Sequence, residues 1–364
     1  MEKEKNNSQS KHYHFLKLAF EQAKINLGST LTNPSVGCVV EKEGSIISSG
    51  YTSLKGRPHA EFNALNKKKN FKNANVYVTL EPCSHYGVTP PCTNIISKKK
   101  IKRVYFSAID IDKRSRNLSK KILNKKKISV YGPLLKEIGL DFYKSYYLSR
   151  SLNLPLIDAK VAISNDYYTK NIKSKWITNF HSQKRTHLLR SMYDCIISTS
   201  KSINDDNSLL NCRIDGLEEK SPDLVIIDRN LKLKPNLKLF QTLNKRKVIL
   251  FTCNQNKKKI LNFKRKGIKV FFVNNLKNRI DFNNLFLILK KMGYNRILLE
   301  VGLIFLNFTL RYRFLNNIYV FKSHKNLKKN GINYTSNKFL KKIKLKNKIS
   351  VNLFGDKVFK ERLK

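Results

Sequence analysis

The chain has no apolar run approaching the ~20 residues that a helix needs to cross a bilayer, so the sequence offers no candidate membrane span. Its opening stretch, MEKEKNNSQSKHYHF, lacks the apolar segment of a secretory signal. Cysteine is sparse and scattered: Cys38, Cys83, Cys92, Cys195, Cys212 and Cys253 show none of the dense, even spacing of a disulfide framework. There is no internal repeat, and no low-complexity linker beyond the charged start. These absences predict a soluble, cytoplasmic protein with reduced thiols and no membrane partner. Acidic residues are also few, 25 Asp and Glu against 73 Lys and Arg, which leaves a net charge of +48.

That excess of base admits two explanations. A basic surface neutralises phosphates, so a nucleic-acid partner, and with it a tRNA-editing type of activity, is one reading. The other is coding bias, because Lys travels with abundant Asn and Ile through the whole chain, and all three have codons rich in A and T. Runs such as NKKKNFKN, ISKKKIKR and ILNKKKIS fall where helices end or turns lie. They read as solvated surface, so no stable nucleic-acid complex is expected. A phosphorylated small substrate suits the same positive field.

At 364 residues the chain is long enough for two domains, and 41% hydrophobic residues suffice for packed cores. HYHFLKLAFEQAKINLG places Phe15, Leu18, Ala19 and Ala23 at helical spacing, with Gly28 as a stop. SVGCVVEKEGSIISSGY reads as a hairpin turning at Glu43-Gly44. HAEFNALNKKK and PCTNIISKKK read as helices, and ANVYVTLEP, KRVYFSAID and KKISVYG as strands. The pattern resets around YLSRSLNLP, and a second series follows: LIDAKVAI, DCIIST, DLVIID, KVILFT, IKVFFV, RILLE, NIYVF and ISVNLF. Alternation of this kind predicts layered α/β domains, here residues 1–148 and 149–364.

The chemistry concentrates in PHAEFNAL (58–65) and TLEPCSHYGVTPPC (79–92). Catalytic zinc takes three protein ligands and an open fourth position. His59, Cys83 and Cys92 supply that number and type. Cys92 opens a predicted helix, where exposed N–H groups favour a thiolate. An ion held there brings the pKa of a bound water toward ~7. Glu61, two residues past His59, is placed to move that water's proton to a leaving amine. His-x-Glu followed by paired Cys is the signature of zinc deaminases, although eight residues rather than two separate Cys83 from Cys92. The bland alternative, two core thiols and a surface histidine, leaves the doubled Pro-Cys and the His-Ala-Glu unexplained. A purely structural zinc leaves Glu61 without a task. His85 would close the site as a fourth ligand and is read as a loop residue.

With NPSVGCVV, PHAEFNAL and TLEPCSHYGVTPPC in order, the chain resembles the bifunctional deaminase/reductase family of riboflavin biosynthesis. The resemblance is most specific over residues 33–93 and runs more loosely to the end. It implies a cytidine-deaminase-like α/β/α layered domain followed by a dihydrofolate-reductase-like α/β domain. It implies one catalytic Zn2+ at His59, Cys83 and Cys92, Glu61 as proton shuttle, and Asn33 reading the pyrimidine edge. The implied substrate is 2,5-diamino-6-(5-phosphoribosylamino)pyrimidin-4-one, and the second step is NADPH reduction of its ribosyl group to ribityl. In the second half PLIDAKVAIS, SKWIT, THLLRSMYDCII, NDDNSLLNCR, LVIID and LLEVG align in order. They imply nucleotide contacts at Ala162, Trp176, Ser202, Asp205 and Gly302. Substrate contacts are implied at Ser174, Arg190, Leu209, Arg213 and Glu300, where a guanidinium fork suits a phosphate. A homo-oligomer is compatible with the sequence.

Departures from the family mark the second half. SNDYYT stands where Ser-Leu-Asp-Gly is usual, so Tyr167 replaces a glycine and the turn is expected to change. LIFLNF after Gly302 lacks small residues, and FKSHKNLKKNG replaces an apolar Pro-Leu-Gly segment. A deaminase with a degenerate reductase half is the alternative these changes raise. In the first half, Val88 occupies the position after Gly87 where the family usually has a basic residue.

Overall fold

A computed structural model describes residues 2–364, and the chain divides into two compact units, Met1–Leu154 and Pro155–Lys364. The expectation of a boundary at 148/149 falls inside a helix, Lys144–Ser151, that belongs to the first unit. Among the described residues no helix is long and apolar enough to cross a membrane.

In chain order the first unit runs α1 (Glu2–Lys24), β1 (Gly37–Lys42), β2 (Ser45–Tyr51), α2 (Ala60–Leu65), β3 (Asn75–Leu80), α3 (Cys92–Lys98), β4 (Arg103–Ala108), α4 (Leu118–Lys125), β5 (Ser129–Tyr131), α5 (Lys136–Phe142) and α6 (Lys144–Ser151). The strands form one sheet in the order β2-β1-β3-β4-β5. β1 is antiparallel to both its neighbours, while β3, β4 and β5 are parallel. The hairpin turn carries φ of 53° at Glu43 and 88° at Gly44, the pair of positive values that lets a two-residue turn match strand twist.

Both faces of this sheet are covered. Val39, Tyr77 and Tyr105 pack against Phe15, Leu16 and Ala19 of α1. On the opposite side Cys38, Val40, Val76, Val78 and Val104 pack with Ala60, Ala64, Leu65 and Ile96 of α2 and α3. Tyr77, Tyr105 and Tyr131 stack across three adjacent strands with centroids 4.9 and 5.0 Å apart. Two glycines set how closely the helices approach. A Cβ at Gly37 would sit 1.9 Å from the Ala19 carbonyl oxygen, and one at Gly50 2.5 Å from that of Ala60. The second contact fixes the start of α2, where the His-Ala-Glu motif lies.

The second unit contains β6 (Leu156–Ile163), β7 (Lys170–Asn171), α7 (Phe180–Arg190), β8 (Cys195–Thr199), α8 (Ser200–Asp206), β9 (Asp223–Ile227), β10 (Val248–Thr252), α9 (Lys257–Arg265), β11 (Lys269–Phe272), α10 (Arg279–Lys291), β12 (Arg296–Leu299), α11 (Leu303–Arg311), β13 (Asn317–Lys322), β14 (Gly331–Ile332), α12 (Lys338–Lys342) and β15 (Lys357–Arg362). Its main sheet has the order β11-β10-β9-β8-β12-β6-β13-β15. All pairs are parallel except β13 with β15. Strand order reverses between β6 and β12, and such switch points open a crevice at the carboxyl ends of parallel strands. One face carries Ile197, Val225, Ile249, Phe251, Leu285 and Leu289; the other carries Ile196, Leu224, Ile226, Leu250 and Phe263.

Two expectations change. ISVNLF (349–354) is not a strand but irregular chain with isolated bridges at Lys348 and Leu353. The edge strand is β15, KVFKER, whose charged residues hide it in the sequence and also discourage pairing with another chain. Tyr167 does not abolish the turn it occupies: it takes the left-handed conformation itself, at φ 69°, and its N–H still reaches the Ser164 carbonyl at 3.1 Å. Asn333 and Asn337 both donate to the Tyr167 carbonyl, and Asp166 accepts from the N–H groups of Leu327 and Lys328. These bonds offset a backbone cost of roughly 1–2 kcal/mol.

Replacing Gly50 by Ala is expected to cost about 3 kcal/mol or more, because backbone rather than a side-chain tip must yield. Scanning calorimetry of the whole chain should show the transition of the first unit lowered by several degrees; an unchanged transition would contradict this packing.

Candidate functional site

His59 immediately precedes α2, with extended backbone at φ −73° and ψ 161°. Cys83 follows β3 in an irregular loop, and Cys92 is the first residue of α3, entered through Pro91. His59 Nδ1 lies 3.6 Å from Cys83 Sγ and 3.5 Å from Cys92 Sγ, and all three ligand atoms lie within 4.8 Å of one another. Zn–S bonds of ~2.3 Å and Zn–N bonds of ~2.0 Å in a tetrahedron put sulfur and nitrogen about 3.5 Å apart. The donor set therefore fits zinc in identity and spacing. Among the described residues no fourth ligand joins the group. His85 turns its Nδ1 to the Ser115 hydroxyl, 2.7 Å away.

The electrostatics are those of a helix end. The Cys92 N–H points at Cys83 Sγ at 3.2 Å. The Cys92 thiol, that N–H and the neighbouring His59 hold the Cys83 thiol well below its usual range, against the opposing effect of burial, while the Cys83 sulfur and burial push the Cys92 thiol up. Glu61 is buried, with 3% of its surface exposed. Burial, reinforced by the charge of Cys83 and opposed by His59, pushes its carboxyl up to about 7.

Several residues that hold these groups do not stand out in the sequence. Glu81 is buried and accepts hydrogen bonds from Asn117 N–H, Ser119 N–H and the Ser119 hydroxyl, which ties the root of the Cys83 loop to the start of α4. Its place directly before Pro82-Cys83 is the available signal. Asn63 donates to the Tyr51 carbonyl and the Ser53 hydroxyl. Asn33 donates from Nδ2 to the Gly56 carbonyl at 3.1 Å. Gly56 has φ 88°, and a Cβ there would come within 2.5 Å of that same nitrogen, so glycine is required for Asn33 to sit where it does.

In the second unit Glu300, at the carboxyl end of β12, is gripped by the Arg190 fork at 2.6 and 3.0 Å. Lys160 of β6 lies 3.8 Å from the same carboxylate. Burial raises the Glu300 pKa, but Arg190 and Lys160 outweigh it and hold the carboxyl down at about 2. Burial lowers the Lys160 amine in turn. Lys160 is a further residue that the sequence motifs do not single out; a lone Lys inside the apolar strand LIDAKVAI is its signal.

The remaining residues of this unit separate into groups. Gly302 is exposed and caps α11 without a side-chain hydrogen bond. A Cβ there would meet only the Ser202 hydroxyl, at 3.6 Å. Ser202 lies in the first turn of α8, its N–H bonded to Thr199 Oγ1. The turns after β8 and β12 thus come together. Ala162 lies half-buried on β6, beside this edge of the sheet. Asp205 faces outward, paired with Lys170 and Lys201. Trp176 is 52% exposed, and its N–H bonds the Ser174 hydroxyl in an exposed loop. Leu209 is half-buried, and its carbonyl accepts from Arg246. Arg213 is exposed, with Nη1 on Asn211 Oδ1 at 2.7 Å.

Comparison with known proteins agrees with this geometry. Residues 9–108 match the cytidine and deoxycytidylate deaminase zinc-binding region, and residues 155–345 match the RibD C-terminal domain. The riboflavin biosynthesis protein RibD of Actinobacillus pleuropneumoniae is 31% identical over 79% of this chain and 77% of its own length. RibD of Aquifex aeolicus is 32% identical over 85% of each chain. The crystal structure of a diaminohydroxyphosphoribosylaminopyrimidine deaminase/5-amino-6-(5-phosphoribosylamino)uracil reductase from Thermotoga maritima superposes with a TM-score of 0.78 at 25% identity, over 98% of this chain and 99% of that one. Two domain models in sequence, near-full-length relatives and a His-Cys-Cys cluster at the motif positions all point one way: the chain belongs to the RibD family, the bifunctional deaminase/reductases of riboflavin biosynthesis.

Proposed function

We propose that the first unit deaminates 2,5-diamino-6-(5-phosphoribosylamino)pyrimidin-4-one and that the second reduces the ribosyl group of the product to ribityl with NADPH. The observation that carries the first step is the convergence of His59, Cys83 and Cys92 beside the buried carboxyl of Glu61. Zinc held by those three side chains supplies the Lewis acidity that makes water a nucleophile at neutral pH. Glu61 accepts the proton of the attacking water and delivers it to the departing amine, so that water and C–NH2 become C=O and ammonia. Asn33, fixed by Gly56, holds the pyrimidine edge.

For the second step the pyridine nucleotide supplies the reducing equivalents. Gly302 and Ser202 line its site, where the bare start of α11 offers backbone N–H groups to a phosphate. Ala162, Trp176 and Asp205 complete the nucleotide contacts, and Ser174 and Leu209 face the substrate. Arg190 acts as a positioning residue, since its fork closes on Glu300. Arg213 is the guanidinium left for the substrate phosphate, and Glu300, held charged by Arg190 and Lys160, orients the sugar hydroxyls.

Glu61→Gln is expected to keep its zinc and lose roughly 10²–10⁴-fold in kcat for ammonia release; near-normal turnover in the zinc-loaded variant would remove Glu61 from its role. Cys83→Ser should lower bound zinc well below one ion per chain by elemental analysis, and full occupancy would contradict its ligation.

The depressed carboxyl of Glu300 makes a further prediction in the second unit. Its pKa falls from 4.5 to about 2 on folding, so its contribution is fully present above about 4.5 and is lost as pH drops toward 2. Glu300→Gln should leave two cations without their partner and destabilise the unit by about 3–5 kcal/mol at neutral pH. It should also flatten the acid limb of stability between those two pH values. Denaturant titrations across the range check both; an equally steep limb in the variant would place the titration elsewhere.

A further inference from the structure

We propose that Arg57 makes the first unit selective for a phosphorylated substrate, a reading that rests on the deaminase activity proposed above. The loop between the two cysteines has no cation of its own at its tip, where Val88 is 85% exposed. Arg57 reaches that loop from the other side of the site. Its Nη1 donates to Thr89 Oγ1 at 2.7 Å and lies 3.5 Å from His59 Nε2, the ring nitrogen turned away from the sulfurs. Its Nη2 stands 3.8 Å from where a Gly87 side chain would begin. His85 Nε2 stands 3.8 Å from the same point, with the ring anchored through Nδ1 to Ser115. Gly87, lacking a side chain, leaves the space between a guanidinium and an imidazole open.

Charge decides what fits there. Ion pairs in this unit join Lys11 to Glu41, Lys24 to Glu21 and Arg114 to Asp112; among the described residues no carboxylate pairs with Arg57. A guanidinium carries five N–H donors and a permanent charge, and Thr89 takes one donor. Because Thr89 accepts from Arg57, its own O–H is free to donate. Fork, hydroxyl and imidazole thus converge on a small gap at the rim of the His59-Cys83-Cys92 cluster, where among the described residues no carboxylate pairs with Arg57. A phosphate monoester suits this set, since a guanidinium meets two of its oxygens at once. The ring held at the cluster and the phosphate held at Arg57 would be the two ends of one ligand.

The test is steady-state ammonia release by the zinc-loaded full chain, with the diaminopyrimidinone ribotide and its dephosphorylated riboside as paired substrates. Arg57→Gln is expected to raise KM for the ribotide about 10–100-fold, the range set by losing a charged hydrogen-bond pair, with kcat within about threefold and the riboside unaffected. Adding Val88→Arg to that variant should lower the ribotide KM again, because it puts a cation on the same loop, between Gly87 and Thr89. If Arg57→Gln loses zinc, Thr89→Val serves instead and should raise the ribotide KM about 3–10-fold. An unchanged ribotide KM, or an equal loss on both substrates, would overturn the role of Arg57 while leaving deamination intact. No ammonia from either substrate with the unmodified enzyme would instead overturn the deaminase reading, and Arg57 with it.

Discussion

Two helix starts meet over one loop, and the chemistry of the first unit depends on that meeting. His59 leads into α2, Cys92 opens α3, and the Cys92 N–H is spent on the sulfur of Cys83. The Cys92 sulfur and N–H favour the Cys83 thiolate, while the Cys83 sulfur and burial push the Cys92 thiol up, so the cup holds one thiolate beside one thiol before any cation enters. Burial makes the cup costly on its own, since charge removed from water needs a partner. Glu61 reflects this, its carboxyl raised beside Cys83. A divalent cation resolves the conflict for all of these groups together. The sheet makes the meeting reproducible: Gly50 presses the strand backbone against Ala60, and Glu81 ties the Cys83 loop to α4.

The second unit solves a related problem with its own side chains. Glu300 stands at the carboxyl end of a central parallel strand, where ligands of open α/β sheets bind. Arg190 and Lys160 hold it ionised although it is buried. One carboxylate between two cations leaves the cluster positive, which suits an anionic ligand. The bidentate grip costs Arg190 its freedom, whereas Arg213 stays exposed, bonded to Asn211.

Much of this architecture is legible in the amino-acid sequence. Apolar β-branched runs mark β6, β8, β9, β10 and β12, because a parallel strand covered on both faces must be apolar throughout. The zinc cluster is legible because ligand type and spacing are constrained by the ion itself. The apolar pattern weakens near Ser149 and suggests a boundary there, yet α6 continues past it on contacts such as Tyr146 to Asp110, which periodicity does not reveal. β15 is hidden by its edge position, and ISVNLF imitates a strand it does not form. Tyr167 misleads because side-chain preference is a local rule, while the Asn333 and Asn337 bonds that overrule it come from more than 160 residues away. Glu81 and Lys160 leave only a faint mark in the sequence and Arg57 none, because their importance lies in which neighbour each one reaches.

The most direct measurement is zinc-edge X-ray absorption on the purified protein, with metal content determined on the same sample. The account predicts about one zinc per chain, with two sulfur neighbours near 2.3 Å and two lighter neighbours near 2.0 Å, one of them from water. A protein that takes up no zinc, or a first shell without two sulfurs, would contradict it.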